Sequence, residues 1–294
     1  SGSFSTLIIY RLVGGMGVGI ASMLSPLYIS EISPTKVRGR LVALYQFAIT
    51  IGILCSFFVN AWLLKVSGNA AMFQKDLYQL VFSDEIWRAM LGMEAIPAIS
   101  FFLLVITIPK SPRWLMANDQ AAKAKEILLK ITNPEQAAKE LKEIQETLQM
   151  ETGSWKMILQ PGIKAAVFLG VALAMLAQFT GIDAIIYYGP RILEQAGFGL
   201  GEALGGQVII GFINMSFTVL AIWKIDSFGR RPLLIAGAIG MLFSLLGTGL
   251  LFALGIAEGT LLLVFLLIFI ASFAFSMGPV VWVILSEIYP TKIR

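Results

Sequence analysis

The chain has 294 residues, 57% of them hydrophobic and 14% charged, with a mean hydropathy of +0.81 and a formal net charge of +4. Soluble domains carry about 25% charged residues, so this balance excludes a water-soluble globule and describes an integral membrane protein. The complete lack of His removes His-based triads, most zinc sites and any His pH switch.

A bilayer core about 30 Å thick needs roughly 20 apolar residues per spanning helix. In chain order the runs that qualify are Leu7–Ile29, Leu41–Val66, Trp87–Ile108, Ala165–Tyr188, Val208–Ile225, Leu233–Ile256 and Leu261–Leu285. Their continuity predicts helices, since a membrane barrel alternates apolar and polar residues in shorter segments. The expected fold is therefore all-α: a multi-span transmembrane helical bundle of about seven spans. The first run lacks a cleavage site and reads as a span, not a secretion signal. Within it, Gly15 and Gly19 predict close helix approach. No strand precedes the glycines, so they do not read as a nucleotide fingerprint. Cys55, in GILCSFF, is expected to be a small buried apolar residue.

Between the third and fourth runs, Pro109–Gly162 is polar and helical in pattern. Ser111-Pro112 and Asn133-Pro134 each place a capping residue before a proline at the first helical position. Ala137, Leu141, Ile144 and Leu148 then recur at helical spacing as one apolar stripe. That stripe is expected to rest on the cytoplasmic ends of membrane helices. The chain thus divides into an N-terminal bundle portion (residues 1–109), a cytoplasmic helical linker (110–162) and a C-terminal bundle portion (163–294). The segments Ser67–Ile86 and Ile192–Gln207 are expected as outer loops, with tight turns at Asp226–Pro232 and Ala257–Thr260.

The basic residues follow this topology. Of the 22 Lys and Arg, only Lys65, Lys75, Arg88 and Arg191 fall outside, and Arg11 lies within the first run. The remainder mark the cytoplasmic side, as the positive-inside rule requires. The pI near 9.1 therefore reports membrane topology, and nucleic acid is not an expected partner.

The phrase SEISPTKVR at Ser30–Arg38 recurs as SEIYPTKIR at Ser286–Arg294. An internal repeat of parallel orientation, with one copy per bundle, signals a transporter made of two related halves. Each copy sets a Glu at the end of a span, then Pro, then basic residues, and DSFGRR at Asp226–Arg231 adds a third cluster. Glu31, Arg38, Arg40, Asp226, Arg230, Arg231, Glu287 and Arg294 are candidates for a cytoplasmic charge latch. Simple topology anchoring is the competing reading, although acidic residues contribute little to topology. The chain begins with Ser and ends directly after the second copy, which predicts a piece of a longer protein.

Several polar residues interrupt the apolar runs: Gln46, Gln178, Asp183, Asn214 and Trp282. Amides donate and accept at once, and an indole offers an apolar face with one N–H donor. Each lone amide also reads as an ordinary interhelical hydrogen bond. Thr180-Gly181 and Gly278-Pro279 are expected to break their helices, and broken helices near the midplane are where transporters build sites.

The stretches YRLVGGMGVGIASMLSPLYISEISPTKVRGRL, PKSPRWLM, QFTGIDAIIYYGP, DSFGRRP and GPVVWVILSEIYPTKIR resemble the sugar porters of the major facilitator superfamily. They cover nearly the whole chain in matching order. The resemblance implies a partial major facilitator fold, holding the fourth to tenth of twelve helices. It implies sugar contacts at Gln46, Gln178, Asn214 and Trp282, with Asp183 on the same segment and Tyr187 and Gly278 beside them. It also implies that Arg11 is the arginine that pairs with a proton-carrying Asp on the first helix of the family, and that Glu94 is an acidic residue near that pair. Two departures are visible: Ala177 stands where the family usually has a Gln, and Asp183 where it usually has Asn. These leave the identity of the sugar open. Asp183 reads either as an acceptor for a sugar hydroxyl, held by a nearby donor, or as a protonatable group; the acceptor reading is preferred.

The resulting expectation is proton-coupled uptake of a pentose or hexose by alternating access, without cofactor or metal. The partners are sugar, protons and lipid, and the protein is a monomer in a bacterial inner membrane. A proton-independent facilitator and a sugar-binding membrane sensor are the alternatives. An enzyme has least support, since no nucleophile–base pair or metal cluster is legible.

Overall fold

The computed structural model describes residues 4–34, 38–67, 85–150, 161–256 and 259–288. Among these every regular element is a helix: α1 (Phe4–Ile32), α2 (Arg38–Ser67), α3 (Ile86–Gly92), α4 (Ala95–Thr107), α5 (Pro112–Ala117), α6 (Ala121–Ile131), α7 (Pro134–Met150), α8 (Pro161–Phe179), α9 (Ile182–Gln195), α10 (Leu200–Phe228), α11 (Arg230–Ala253), α12 (Gly259–Phe275) and α13 (Met277–Ile288). They form 7 stretches long and apolar enough to cross a bilayer. Three stretches are pairs of helices: α3 with α4, α8 with α9, and α12 with α13.

Contacts divide the chain into two compact units, one of residues 1–45, 109–157 and 290–294, the other of 46–108 and 158–289. In the first, the short helices α5, α6 and α7 pack on one another. Ser111 Oγ accepts from the Trp114 amide at 3.2 Å, and Asn133 Oδ1 accepts from Gln136 N at 2.9 Å. Both caps stand where the Ser-Pro and Asn-Pro pairs predict them. Leu115, Ala124, Leu128 and Ala137 form the buried centre. The stripe on α7 therefore rests on α5 and α6, a correction to the expectation that it rests on membrane helices. The reason is local: α6 carries its own apolar face, Ala124 and Leu128, within reach of a short connection. The C-terminal end of α1 meets this group through Tyr28, whose hydroxyl donates to the Pro109 carbonyl at 2.8 Å.

In the second unit α12 is the core helix, packed by α10, α11 and α9. Leu262, Leu266, Phe269 and Ile270 are buried along it. Helix α11 approaches through missing side chains. A β-carbon on Gly237 would stand 1.7 Å from Ser276 Oγ, one on Gly240 2.3 Å from Ser272 Oγ, and one on Gly247 2.2 Å from the Phe265 ring. Small residues permit this close approach, which dispersion then rewards in a medium where the hydrophobic effect is weak.

Four further expectations are corrected. Residues 192–207 are not a loop: α9 runs to Gln195 and α10 begins at Leu200. A left-handed Gly197, with φ +93, and the bond from Phe198 N to Leu193 O at 3.1 Å close α9 tightly. Polar side chains in these turns hid a continuous pair of helices. The last break falls at Ser276, between α12 and α13, before Gly278-Pro279; Pro279 is tolerated in the first turn of the new helix because no intrahelical donor is needed there. Gly15 and Gly19 have nothing within 4 Å of a built β-carbon, so no described helix covers that face. Cys55 is free and exposed, at an apolar cavity lined also by Leu54, Phe58, Val208 and Phe212.

Candidate functional site

All seven residues proposed to contact sugar lie in the second unit. Thr180-Gly181 breaks the fourth span as expected. Gly181 takes φ +89, a left-handed conformation that glycine reaches without steric cost. Thr180 Oγ1 closes the preceding turn by donating to Ala177 O at 2.7 Å. The chain then restarts as α9 with Asp183 in its first turn. Across this break Gln178 Nε2 donates to Asp183 Oδ2 at 2.9 Å. Asp183 is therefore held by an amide donor, the arrangement of the preferred acceptor reading. Ala177 is buried, where a Gln would need a partner within the packing.

Gln46 and Gly278 form the second group. Gln46 Nε2 lies 3.6 Å from where a β-carbon on Gly278 would stand. A side chain larger than a methyl at this position would press on the amide. Gln46 Oε1 is buried and has no donor among the described residues. A buried acceptor left so costs about 1–3 kcal/mol, and a hydroxyl donor removes that cost.

Asn214 is only 5% exposed, on the face of α10 where its carbonyl accepts from Thr218 Oγ1 at 2.8 Å. Helix α13, which carries Gly278 and Trp282, packs on both α8 and α10. Trp282 is 44% exposed beside buried Val280 and Val281, leaving much of its ring accessible. Tyr187 is 71% exposed and belongs to neither pair. No hydrogen bond among the described residues joins the two pairs.

The other candidates stand apart. Arg11 is exposed in the N-terminal third of α1 and Glu94 is exposed at the break between α3 and α4; both are engaged in contacts, as is Arg230. Glu31 is half-buried near the end of α1, and Arg230 and Arg231 open α11. Arg294, and the side chains of Arg38, Arg40, Asp226 and Glu287, lie outside the described residues, so most of the latch does too.

Sequence reasoning missed Gln207, assigned there to the end of an outer loop. It is 2% exposed and donates through Nε2 to Ile186 O at 2.7 Å and Ile185 O at 3.4 Å. Its spacing of two helical turns from Asn214 was the available signal: it puts both amides on one face of α10.

Seven stretches long and apolar enough to cross a bilayer, one of them broken at Gly181 between Gln178 and Asp183, define a polytopic helical membrane protein. The chain belongs to the family described as Sugar (and other) transporter, which matches residues 1–294; these are the sugar porters of the major facilitator superfamily, transporters and not catalysts. It is 40% identical over 294 residues to the D-xylose-proton symporter of Escherichia coli K12, covering 100% of this chain and 57% of that protein. It is 36% identical over 291 residues to the arabinose-proton symporter of Bacillus subtilis, covering 99% of this chain and 61% of that one. Among solved structures, the proton:xylose symporter of E. coli bound to 6-bromo-6-deoxy-D-glucose matches with a TM-score of 0.81 at 40% identity, over 97% of this chain and 58% of that one. The chain thus spans 57% of the length of the first of these relatives, as a reading of a partial twelve-helix protein requires.

Proposed function

We propose that the full-length protein moves a monosaccharide across a bacterial inner membrane by alternating access, coupled to protons. The observation that carries this reading is the unpartnered acceptor of Gln46, against Gly278, in a chain 40% identical to a D-xylose-proton symporter. Gln46, Gln178, Asp183 and Asn214 supply donors and acceptors for hydroxyls, and Trp282 supplies a ring face. Arg11 and Glu94 serve proton coupling. Residues 1–109 and 163–294 are the two bundle portions, and 110–162 is the cytoplasmic linker. Glu31, Arg38, Arg40, Asp226, Arg230, Arg231, Glu287 and Arg294 close the cytoplasmic side. The protein works as a monomer. Which pentose or hexose it carries follows from Ala177 and Asp183, which alter the donor set relative to the family pattern.

A proton-independent facilitator is the second reading. In it Asp183 serves as an acceptor only, held by the Gln178 amide at 2.9 Å. Adding sugar to energy-depleted cells that express the full-length protein separates the two. Alkalinisation of the medium on sugar entry supports symport. Counterflow of labelled sugar with no proton movement supports the facilitator. Sugar binding without flux contradicts both and indicates a sensor.

A further inference from the structure

Helix α9 has a proline inside it, Pro190. Proline has no N–H, so the carbonyl four residues earlier, that of Ile186, loses its helical donor, and the ring also crowds that carbonyl. In an apolar medium an orphaned carbonyl is costly, and something must satisfy it. Gln207 of α10 does so: its Nε2 donates to Ile186 O at 2.7 Å, with a longer contact to Ile185 O at 3.4 Å. The side chain reaches in through a gap left by a glycine. A β-carbon on Gly189 would stand 2.2 Å from Gln207 Oε1 and 2.9 Å from its Cδ. Gln207 is 2% exposed, and its Oε1 has no donor among the described residues. A buried amide with half its capacity unused is retained for the bond made by its other half.

We propose that Gln207 is a positioning residue that replaces the hydrogen bond withheld by Pro190, so that α10 fixes the proline-containing half-helix α9. Gly189 provides the opening, Pro190 creates the orphaned carbonyl, and Gln207 fills both. The bonded carbonyl, Ile186, lies between Asp183 and Tyr187 in the chain. Holding it fixes the segment that presents Asp183 to Gln178. The consequence for sugar rests on the transport reading above; the lock itself rests on geometry alone.

The test is a double-mutant cycle on the full-length protein in detergent, comparing Gln207→Met and Pro190→Ala singly and together. An alanine at that position restores an N–H for the Ile186 carbonyl. Gln207→Met is expected to lower the Tm by a few degrees in the Pro190 protein and by much less in the Pro190→Ala background. Equal losses in both backgrounds, or none in either, overturn the proposal. Should Pro190→Ala fail to fold, hydrogen exchange decides: Gln207→Met is expected to raise amide exchange in residues 186–193 and leave α12 protected. Unchanged exchange there overturns the lock. In sugar uptake, Gln207→Met is expected to raise KM several-fold with Vmax largely kept, since α9 presents substrate contacts without being removed. An unchanged KM overturns the positioning role. Failure of the unmutated protein to take up any sugar counts against the transport reading instead, and the thermal and exchange results still judge the lock.

Discussion

At the level of single residues, the site is a set of amides whose partners are already partly assigned. Gln178 spends a donor on Asp183 at 2.9 Å, while Gln46 keeps a buried acceptor without one. The two should respond differently to substitution. Asp183→Asn retains an acceptor for Gln178, so it is expected to leave the pH profile of sugar uptake unchanged; loss of a titration step contradicts the acceptor role and supports a protonatable one. Gly278→Ala is expected to be tolerated, because its new carbon stands at ordinary contact distance from the Gln46 amide. Gly278→Leu is expected to displace that amide and abolish saturable uptake, and normal kinetics in the leucine variant would exclude Gln46 from the site. Polar residues inside apolar runs were legible because they violate the composition around them. Their partners were not, since the Gln178–Asp183 bond depends on how the chain turns at Gly181. Gln207 was hidden for another reason. Neighbouring polar residues such as Glu202 made its segment look like a loop, and the unmet carbonyl it serves lies on a different helix.

Elements meet through small residues and caps as well as through buried large ones. Helix α11 approaches α12 where Gly240 leaves room for Ser272. Gly240→Val is expected to overpack this contact and destabilise by about 1–3 kcal/mol, seen as a lower Tm in detergent with the α-helical content of the surviving fold unchanged; an unaltered Tm would mean the contact is not tight. In the linker, Ser111→Ala removes the N-cap of α5 at a cost of about 1 kcal/mol. On α6, the hydrogen bond from Lys130, reinforced by its charge, holds the Glu126 carboxyl below its usual value. A lowered pKa stabilises above the ordinary glutamate range, and the contribution is lost as pH falls through the folded value. The pair is fully solvated, so the effect is small and salt erases it. Glu126→Gln is expected to remove that part of the acid sensitivity at low ionic strength and change nothing at high salt. Helix existence was readable throughout from run length and capping pairs. The break at Gly181 was readable from its Thr-Gly pair, the one after Gly92 was not read, and the one at Ser276 was misplaced because serine has no strong preference for interrupting an apolar helix.

For the whole molecule, composition and run length located the membrane spans before any coordinates, and the structure has 7 stretches long and apolar enough to cross a bilayer. The repeated SEIxPTKxR phrase pointed to a transporter family, and the family match covers residues 1–294. The basic clusters could not be turned into a latch from pattern alone, since charge placement for topology and charge pairing for gating use the same residues. The most direct test of the account is uptake of labelled pentoses and hexoses by proteoliposomes holding the full-length protein, with and without an imposed inward proton gradient, compared with Gln46→Leu. Saturable uptake of at least one sugar, accelerated by the gradient and lost or weakened at least about tenfold in KM by removing that single amide, is the predicted result. Saturable uptake that Gln46→Leu leaves untouched, or none for any sugar in a folded protein, would contradict it.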